Sequence, residues 1–293
     1  MIWRCRDITY NLTERVLVMG ILNVTPDSFS DGGRWLDPAA AVARAHELLA
    51  AGADILDVGA ESTRPGSAPV SAPEQWRRLA PLLDALHRER PDAVVSCDTR
   101  DAAVAERALA AGARIVNDVS ALADPRMATV CAASGAGLVL MHMRGTPETM
   151  QHDTRYDDVV AEVSAHLAER TARAEAAGVA REGVAWDPGI GFGKSAEGSM
   201  ELLARGIAPL MAASGRPVLV GASRKSFLAR LTGAVGPSAD RVAESLAAAT
   251  IAVLQGASIL RVHDVAETVR VVKVAQAARA LTPQPPSPRD DAS

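Results

Sequence analysis

Eight short apolar runs along the 293-residue sequence each stop at residues that can hydrogen-bond or carry charge. In chain order these are Asn23, Asp57, Asp98, Asn117 with Asp118, Met141 with His142, Asp187, Ser223 with Arg224 and Lys225, and Arg261 with His263 and Asp264. A polar residue leaving a strand often does no more than cap the next helix. Eight such exits out of eight are harder to dismiss. Amides and carboxylates set beside cations suit a ligand that carries both a heterocycle, with donor and acceptor edges, and an anionic group. Each residue also has a plainer use open to it. Asp98 could cap a helix from Asp101, Asn117 could satisfy backbone at a rim, and Lys225 could run out to solvent. Arg261 could pair with Asp264, three residues on.

Other chemistries are disfavoured. The six histidines make no His-Glu-x-x-His or similar cluster, so a tight zinc site is not expected. Gly193-Lys194-Ser195 ends like a phosphate-binding loop, but that motif needs a glycine at 188, which is Pro. Gly189, Gly191 and Gly193 do not make a dinucleotide fingerprint either; they read as letting the chain bend closely around a flat ligand. Ser226 opens a helix, and free N–H groups there suit a carboxylate or phosphate.

The elements that must carry these residues alternate. The strands are read around Val16, Ile55, Val94, Ile115, Val139, Val184, Val218 and Ile259, each followed by a helical stretch. The helices run over Pro38–Ala51, Ala72–Arg90, from Asp101, near Arg126–Ser134, over Val159–Ala177, around Ser199–Ala213, from Ser226 or Arg241, and over Val265–Ala280. A small residue followed by Gly-Ala or Gly before a strand recurs at Gly52, Gly112, Gly135 and Gly256. Eight β/α units in one chain of this size predict an α/β fold, a (β/α)8 TIM barrel, with an open doubly wound sheet as the alternative. Residues 1–15 read as a strand or hairpin capping one end, 16–281 as the barrel, and 282–293, rich in Pro, as a disordered tail. In such barrels function sits at the C-terminal ends of the strands, which is where the polar residues fall.

The run Val16–Leu22 is followed by Asn23 and then by a polar stretch, Thr25 to Gly33. It reads as a rigid strand presenting one amide and releasing a mobile loop around Phe29–Asp31. Net charge is -4 and charges are interspersed, which gives no support to a nucleic-acid surface. Three cysteines without a Cys-x-x-Cys pair argue against a disulfide framework. No apolar stretch approaches a membrane span, so the expectation is a cytoplasmic protein with no nucleic-acid or membrane partner.

Taken together, the segments Met19–Gly33, Gly52–Gly66 (GADILDVGAESTRPG), Cys97–Arg100, Ile115–Ser120, Leu140–Met150 (LMHMRGTPETM), Asp187–Lys194 (DPGIGFGK), Val220–Phe227 (VGASRKSF) and Gly256–Val265 (GASILRVHDV) resemble dihydropteroate synthase, the pterin-binding enzyme of folate synthesis. The resemblance implies a barrel, usually dimeric, that uses Mg2+ to join 6-hydroxymethyl-7,8-dihydropterin diphosphate to p-aminobenzoate. It assigns the pterin to Asp98, Asn117, Met141, Asp187, Lys225 and Arg261. It assigns p-aminobenzoate to Thr63, Arg64, Pro65, Phe192, Lys225 and Ser226, and diphosphate to Asn23, Arg64, Arg261 and His263. Asn23 is also implied to meet the metal, and Phe29, Asp31, Thr63 and Arg64 to sit in mobile loops. Asp98, Asp187, Lys225, Arg261 and His263 are implied to serve the chemistry.

Two departures from the family pattern stand out. Ile190 occupies a position often held by Phe, and Ser195–Met200 lacks a His-Asn pair. The competing readings are a non-catalytic pterin-binding paralogue, a pterin-dependent methyltransferase of the same barrel type, and an aldolase with Lys225 as a Schiff-base lysine. Thr63-Arg64-Pro65-Gly66 and Ser223-Arg224-Lys225-Ser226 argue against the methyltransferase. The strand-end acids are unexplained by the aldolase.

Overall fold

A computed structural model describes residues 1–25, 38–63 and 66–281, with the side chain of Ala239 excepted. Eight parallel strands form one sheet: β3 (Leu17–Asn23), β4 (Ile55–Gly59), β5 (Val95–Asp98), β6 (Ile115–Asp118), β7 (Gly137–Met141), β8 (Val184–Asp187), β9 (Leu219–Val220) and β10 (Ile259–Val262). Their order is β8-β7-β6-β5-β4-β3-β10-β9, and a parallel bridge from Trp186 to Val218 joins the two ends. The sheet therefore closes into a (β/α)8 barrel rather than the open doubly wound alternative. Helices follow the strands: α1 (Pro38–Ala50), α2 (Ala72–Glu89), α3 (Ala102–Ala110), α4 (Met127–Ser134), α5 (Val159–Ala176), α6 (Ala196–Glu201) with α7 (Ile207–Ser214), α8 (Ser226–Thr232) with α9 (Val242–Leu254), and α10 (Val265–Leu281).

Two details differ from the sequence reading. The helix expected around Ser199–Ala213 starts earlier, at Ala196, because the Ser195 hydroxyl accepts from the Gly198 N–H at 3.0 Å. It then continues through a π-type turn at Leu202–Gly206. The N-cap of α3 is Asp101 itself, whose carboxylate accepts from Ala103 N and Val104 N, so Asp98 is not used as a cap.

The period-two pleat sorts the strand residues into two sets. Val18, Leu22, Leu56, Val58, Val116, Leu138 and Leu140 face outward into the shell packed by the helices. Leu17, Met19, Ile55, Ile115, Val139, Ala185, Leu219 and Ile259 face inward and make a separate apolar cluster. A hairpin of β1 (Ile2–Cys5) and β2 (Ile8–Asn11) closes that cluster from below with fully buried Trp3 and Cys5. Trp3 Nε1 finds its partner in Gly183 O at 3.0 Å, so the indole is buried with its donor satisfied.

The same parity sets the chemistry. In five of the strands an inward polar or sulfur-bearing residue stands two positions beyond an inward apolar one, about 6.6 Å further up the barrel. Asp57 follows Ile55, Asn117 follows Ile115, Met141 follows Val139, Asp187 follows Ala185, and Arg261 follows Ile259. Strand register brings them level: Asp98 pairs with Asn117, and Met141 with Asp187. A polar layer is thus stacked directly on an apolar plug.

Candidate active site

Arg261 is the centre of the layer. Its Nε donates to Asp57 Oδ2 and its Nη2 to Asp98 Oδ2, each at 2.6 Å. Asn117 Nδ2 donates to the same Asp57 oxygen at 3.1 Å. Asp57 is fully buried and Asp98 nearly so. Burial pushes the Asp98 carboxyl up to about 7; the Arg261 guanidinium opposes this, and the neighbouring Asp57 and Glu61 charges add to it. Burial would weaken Arg261 as a base, but the two carboxylates outweigh it and hold its pKa above the ordinary value. Among the described residues, two deeply buried acceptors in this layer, Asp57 Oδ1 and Asn117 Oδ1, have no hydrogen-bond partner. Buried acceptors are normally satisfied, so this pair is suited to donors on a ligand.

On the other side of the barrel, Asp187 accepts from Gly189 N at 2.7 Å and is buried. Burial raises its pKa against the attraction of Lys225. Lys225 is only partly exposed. Its ammonium donates to Ile190 O and lies 3.9 Å from the centre of the Phe192 ring. Burial pulls Lys225 down to about 7; Asp187 resists and Arg261 adds to the fall. The solvent-exposed use of Lys225 is therefore not what the fold makes of it.

The Gly-rich loop packs closely against the protein, and Gly191 also lies on the cavity wall. A Cβ on Gly189, at φ +64°, would lie 1.9 Å from His142 O. One on Gly191 would lie 2.9 Å from the Lys225 stem. The glycines let the loop pass that close to β7 and to Lys225. Lys194 ties the loop from beneath, donating to Gly189 O at 3.0 Å, Phe192 O at 2.9 Å and His142 Nδ1 at 2.9 Å. Burial lowers the pKa of both Lys194 and His142.

Above this layer opens a cavity of about 540 Å³. Its wall includes Asn23, Thr63, Asp98, Phe192, Lys225, Ser226, Arg261 and His263, eight of the residues expected at the site. His263 Nδ1 lies 3.1 Å from Ser223 Oγ. Asn117, Met141 and Asp187 are not on the open wall; they are buried behind it. Arg64, Pro65, Phe29 and Asp31 lie outside the described residues, as does the 282–293 tail. Arg261 does not pair with Asp264: that carboxylate is taken by Arg224, with Nε to Oδ2 at 3.0 Å.

Sequence reasoning leaves several wall or floor residues without a role. Asp57 is visible as a strand end, but its pairing with Arg261 needs the register of the fold. Glu61 and Ser238 line the cavity, as does Arg241, whose Nη1 donates to Arg224 O at 3.0 Å. Nothing in their local sequence separates them from ordinary loop polar residues. Among the described residues no group of three or more His, Cys, Asp or Glu could hold a metal ion, and no helix is long and apolar enough to cross a membrane.

A barrel with a mixed-charge floor, an unpartnered pair of acceptors and a cationic upper wall is an α/β-barrel site for a small polar heterocycle bearing an anionic group. The pterin binding enzyme family model matches residues 19–263. Dihydropteroate synthase of Escherichia coli (strain K12) is 47% identical over 260 residues, covering 89% of this chain and 90% of that one. The Xanthomonas albilineans dihydropteroate synthase structure with 4-aminobenzoic acid superposes with a TM-score of 0.87 at 44% identity, covering 96% and 99% of the two chains. The Yersinia pestis dihydropteroate synthase in a sulfonamide drug complex gives 0.89 at 42% identity, covering 96% of this chain and all of that one. The chain belongs to the pterin binding enzyme family, among the dihydropteroate synthases.

Proposed function

We propose that this protein condenses 6-hydroxymethyl-7,8-dihydropterin diphosphate with p-aminobenzoate, releasing diphosphate and 7,8-dihydropteroate. The observation that carries this reading is the floor of the barrel: Asp57 and Asn117 each offer a buried acceptor without a partner, level with Asp98 and Arg261. A pterin edge presents amino and ring N–H donors that would satisfy them.

In this assignment the pterin lies on Asp98, Asn117, Met141, Asp187, Lys225 and Arg261, to which Asp57 is added. The bond from the pterin methylene carbon to the diphosphate oxygen breaks, and its electron pair leaves with diphosphate. The arylamine nitrogen then bonds to that carbon and gives up a proton. Positive charge develops on the pterin while the first bond is breaking, and the preset carboxylates of Asp98 and Asp187 stabilise it. Arg261 and His263 face the departing anion. Thr63, Phe192, Lys225 and Ser226 frame the p-aminobenzoate, with its carboxylate towards Lys225 and the Ser226 N–H. Arg64 and Pro65 are assigned there, and Arg64 to the diphosphate, from the family pattern. Enclosure matters because water would otherwise capture the cationic pterin. On the same pattern Phe29, Asp31, Thr63 and Arg64 belong to loops that exclude it.

The donor set fits Mg2+ in one way only. Asn23 supplies a single neutral oxygen at the cavity wall. Mg2+ commonly keeps its waters and binds through few protein groups plus substrate phosphates. We therefore assign Asn23 to a metal that arrives with the diphosphate, where it would neutralise the leaving group. We also assign a cytoplasmic location, which suits three free, buried cysteines. A homodimer is proposed through α9 and α10, which pack together and expose Leu254 and Val274; light scattering tests it.

The deciding experiment incubates the purified protein with both substrates and Mg2+ and follows diphosphate and dihydropteroate. Stoichiometric appearance of both, lost on chelation of the metal, is expected. Pterin binding without turnover would refute the enzyme reading in favour of a binding paralogue.

A further inference from the structure

Arg100 stands two residues after Asp98, just past the end of β5. Its guanidinium grips Glu61 as a fork, Nε to Oε2 at 3.0 Å and Nη2 to Oε1 at 2.9 Å. Glu61 stands just past the end of β4, and its side chain is only 6% exposed. Its Oε1 also accepts from the Val70 N–H at 2.8 Å. The carbonyl of Val70 is held in turn by Gln75 Nε2 at 2.8 Å, and Gln75 Oε1 accepts from the Thr99 hydroxyl at 3.0 Å. Both backbone groups of Val70 are thereby fixed to side chains, those of Glu61 and Gln75, which Arg100 and Thr99 hold in turn. Ser67 Oγ donates to Ser62 Oγ at 2.9 Å. Glu61, Ser62 and Thr63 all line the cavity.

We propose that Arg100 is a positioning residue that, through Glu61, sets the Ser62–Thr63 wall of the cavity and so controls affinity for the arylamine substrate rather than for the pterin diphosphate. The inference rests on the reading of the cavity as a two-substrate site. Glu61 is a buried carboxylate with Asp98 nearby, and the two like charges repel. Arg100 is the cation that makes Glu61 tolerable in that place. Without it, the carboxylate gains by swinging towards water, which takes its bond from Val70 and frees the segment that follows Thr63. None of the Arg100 bonds reaches Asp57, Asp98, Asn117, Asp187 or Lys225, so the floor keeps its hydrogen bonds. A forked guanidinium matters for this: a lysine can satisfy one carboxylate oxygen well but not both in plane.

The test compares wild type with Arg100→Ala and Arg100→Lys in two measurements. In steady-state kinetics, Arg100→Ala should raise KM for p-aminobenzoate about tenfold, with kcat and the KM for pterin diphosphate changed less than about twofold. Arg100→Lys should restore part of the loss. In hydrogen exchange, the peptide containing Val70 should lose protection in Arg100→Ala and regain some of it in Arg100→Lys. An unchanged arylamine KM, or an equal rise for both substrates, overturns the proposal. So does wild-type protection at Val70 in Arg100→Ala. If wild type makes no dihydropteroate, the two-substrate reading has failed, and the exchange measurement alone still decides whether Arg100 anchors this wall.

Discussion

Replacing Asp98 by Asn should remove a loss of stability that wild type suffers between mildly acidic and mildly alkaline pH, while disabling the protein. Asp98 is held in the barrel with its carboxyl raised to about 7, chiefly by burial. An acid whose folded pKa lies above its unfolded value holds more protons folded than unfolded between the two. Stability therefore falls as pH rises through that window. The cost starts near the unfolded value of about 3.9 and is complete above the folded one. Between about pH 5 and about pH 8 the loss from this one group is about 2.5 kcal/mol. An asparagine in its place does not titrate, so the stability of the variant relative to wild type should improve by about that much across the interval. For a chain of 293 residues that corresponds to a relative gain in Tm of about 4 °C. Asp118 and Asp187, whose pKa values are also raised, contribute to both proteins and cancel in the difference. The assay is a pair of thermal melts on each protein at the two pH values, with turnover measured alongside. Turnover should drop on the order of a hundredfold, because the preset carboxylate facing the developing charge is gone. A wild-type-minus-variant difference in Tm that is the same at both pH values would refute the claim that Asp98 is a carboxyl kept strained by burial.

Lys225→Ala and Asp187→Asn should each cut turnover on the order of a hundredfold or more; near-normal rates in either would break the pterin-site assignment. Asp101→Ala removes the cap of α3 and should cost about 1 kcal/mol in chemical denaturation without moving kcat, since Asp101 caps a helix and touches no assigned substrate group.

The fold is legible because its signal is local and repeated. Runs such as Val16–Leu22 and Ile115–Val116 mark strands buried on both faces, and the regular spacing of helices between them leaves few topologies open. The site is legible at the level of membership, because barrel chemistry gathers at strand exits and those exits are written in the sequence. What is not legible is who holds whom. The side chains of Lys194 and Glu61 look like ordinary loop polar groups, and only their burial reveals them as the fastenings of the Gly-rich loop and of the Ser62–Val70 segment. The three glycines between Pro188 and Lys194 read, from sequence, as space for a ligand. In the fold Gly189 also makes room for His142, Gly191 for the stem of Lys225 and Gly193 for the backbone of Arg144 and Met150.

Arg261 shows why sequence distance misleads at such a site. Asp264 is three residues away and Asp57 is 204 away, yet Arg261 takes Asp57. The pleat of β10 turns Arg261 into the barrel, whereas Asp264 lies beyond the end of that strand, next to the first residue of α10. Asp264 is left for Arg224, which leaves β9 at φ +59° and reaches it from the neighbouring strand exit. Asp57 and Asp98 have the parity of Arg261, since each stands an even number of residues beyond an inward group of its own strand. One guanidinium placed at that level meets both. The same parity leaves Asp57 Oδ1 and Asn117 Oδ1 without partners, because the apolar plug lies directly below them and offers no donor. The buried acceptors that carry the functional reading are thus a consequence of where the pleat places polar residues above an apolar layer.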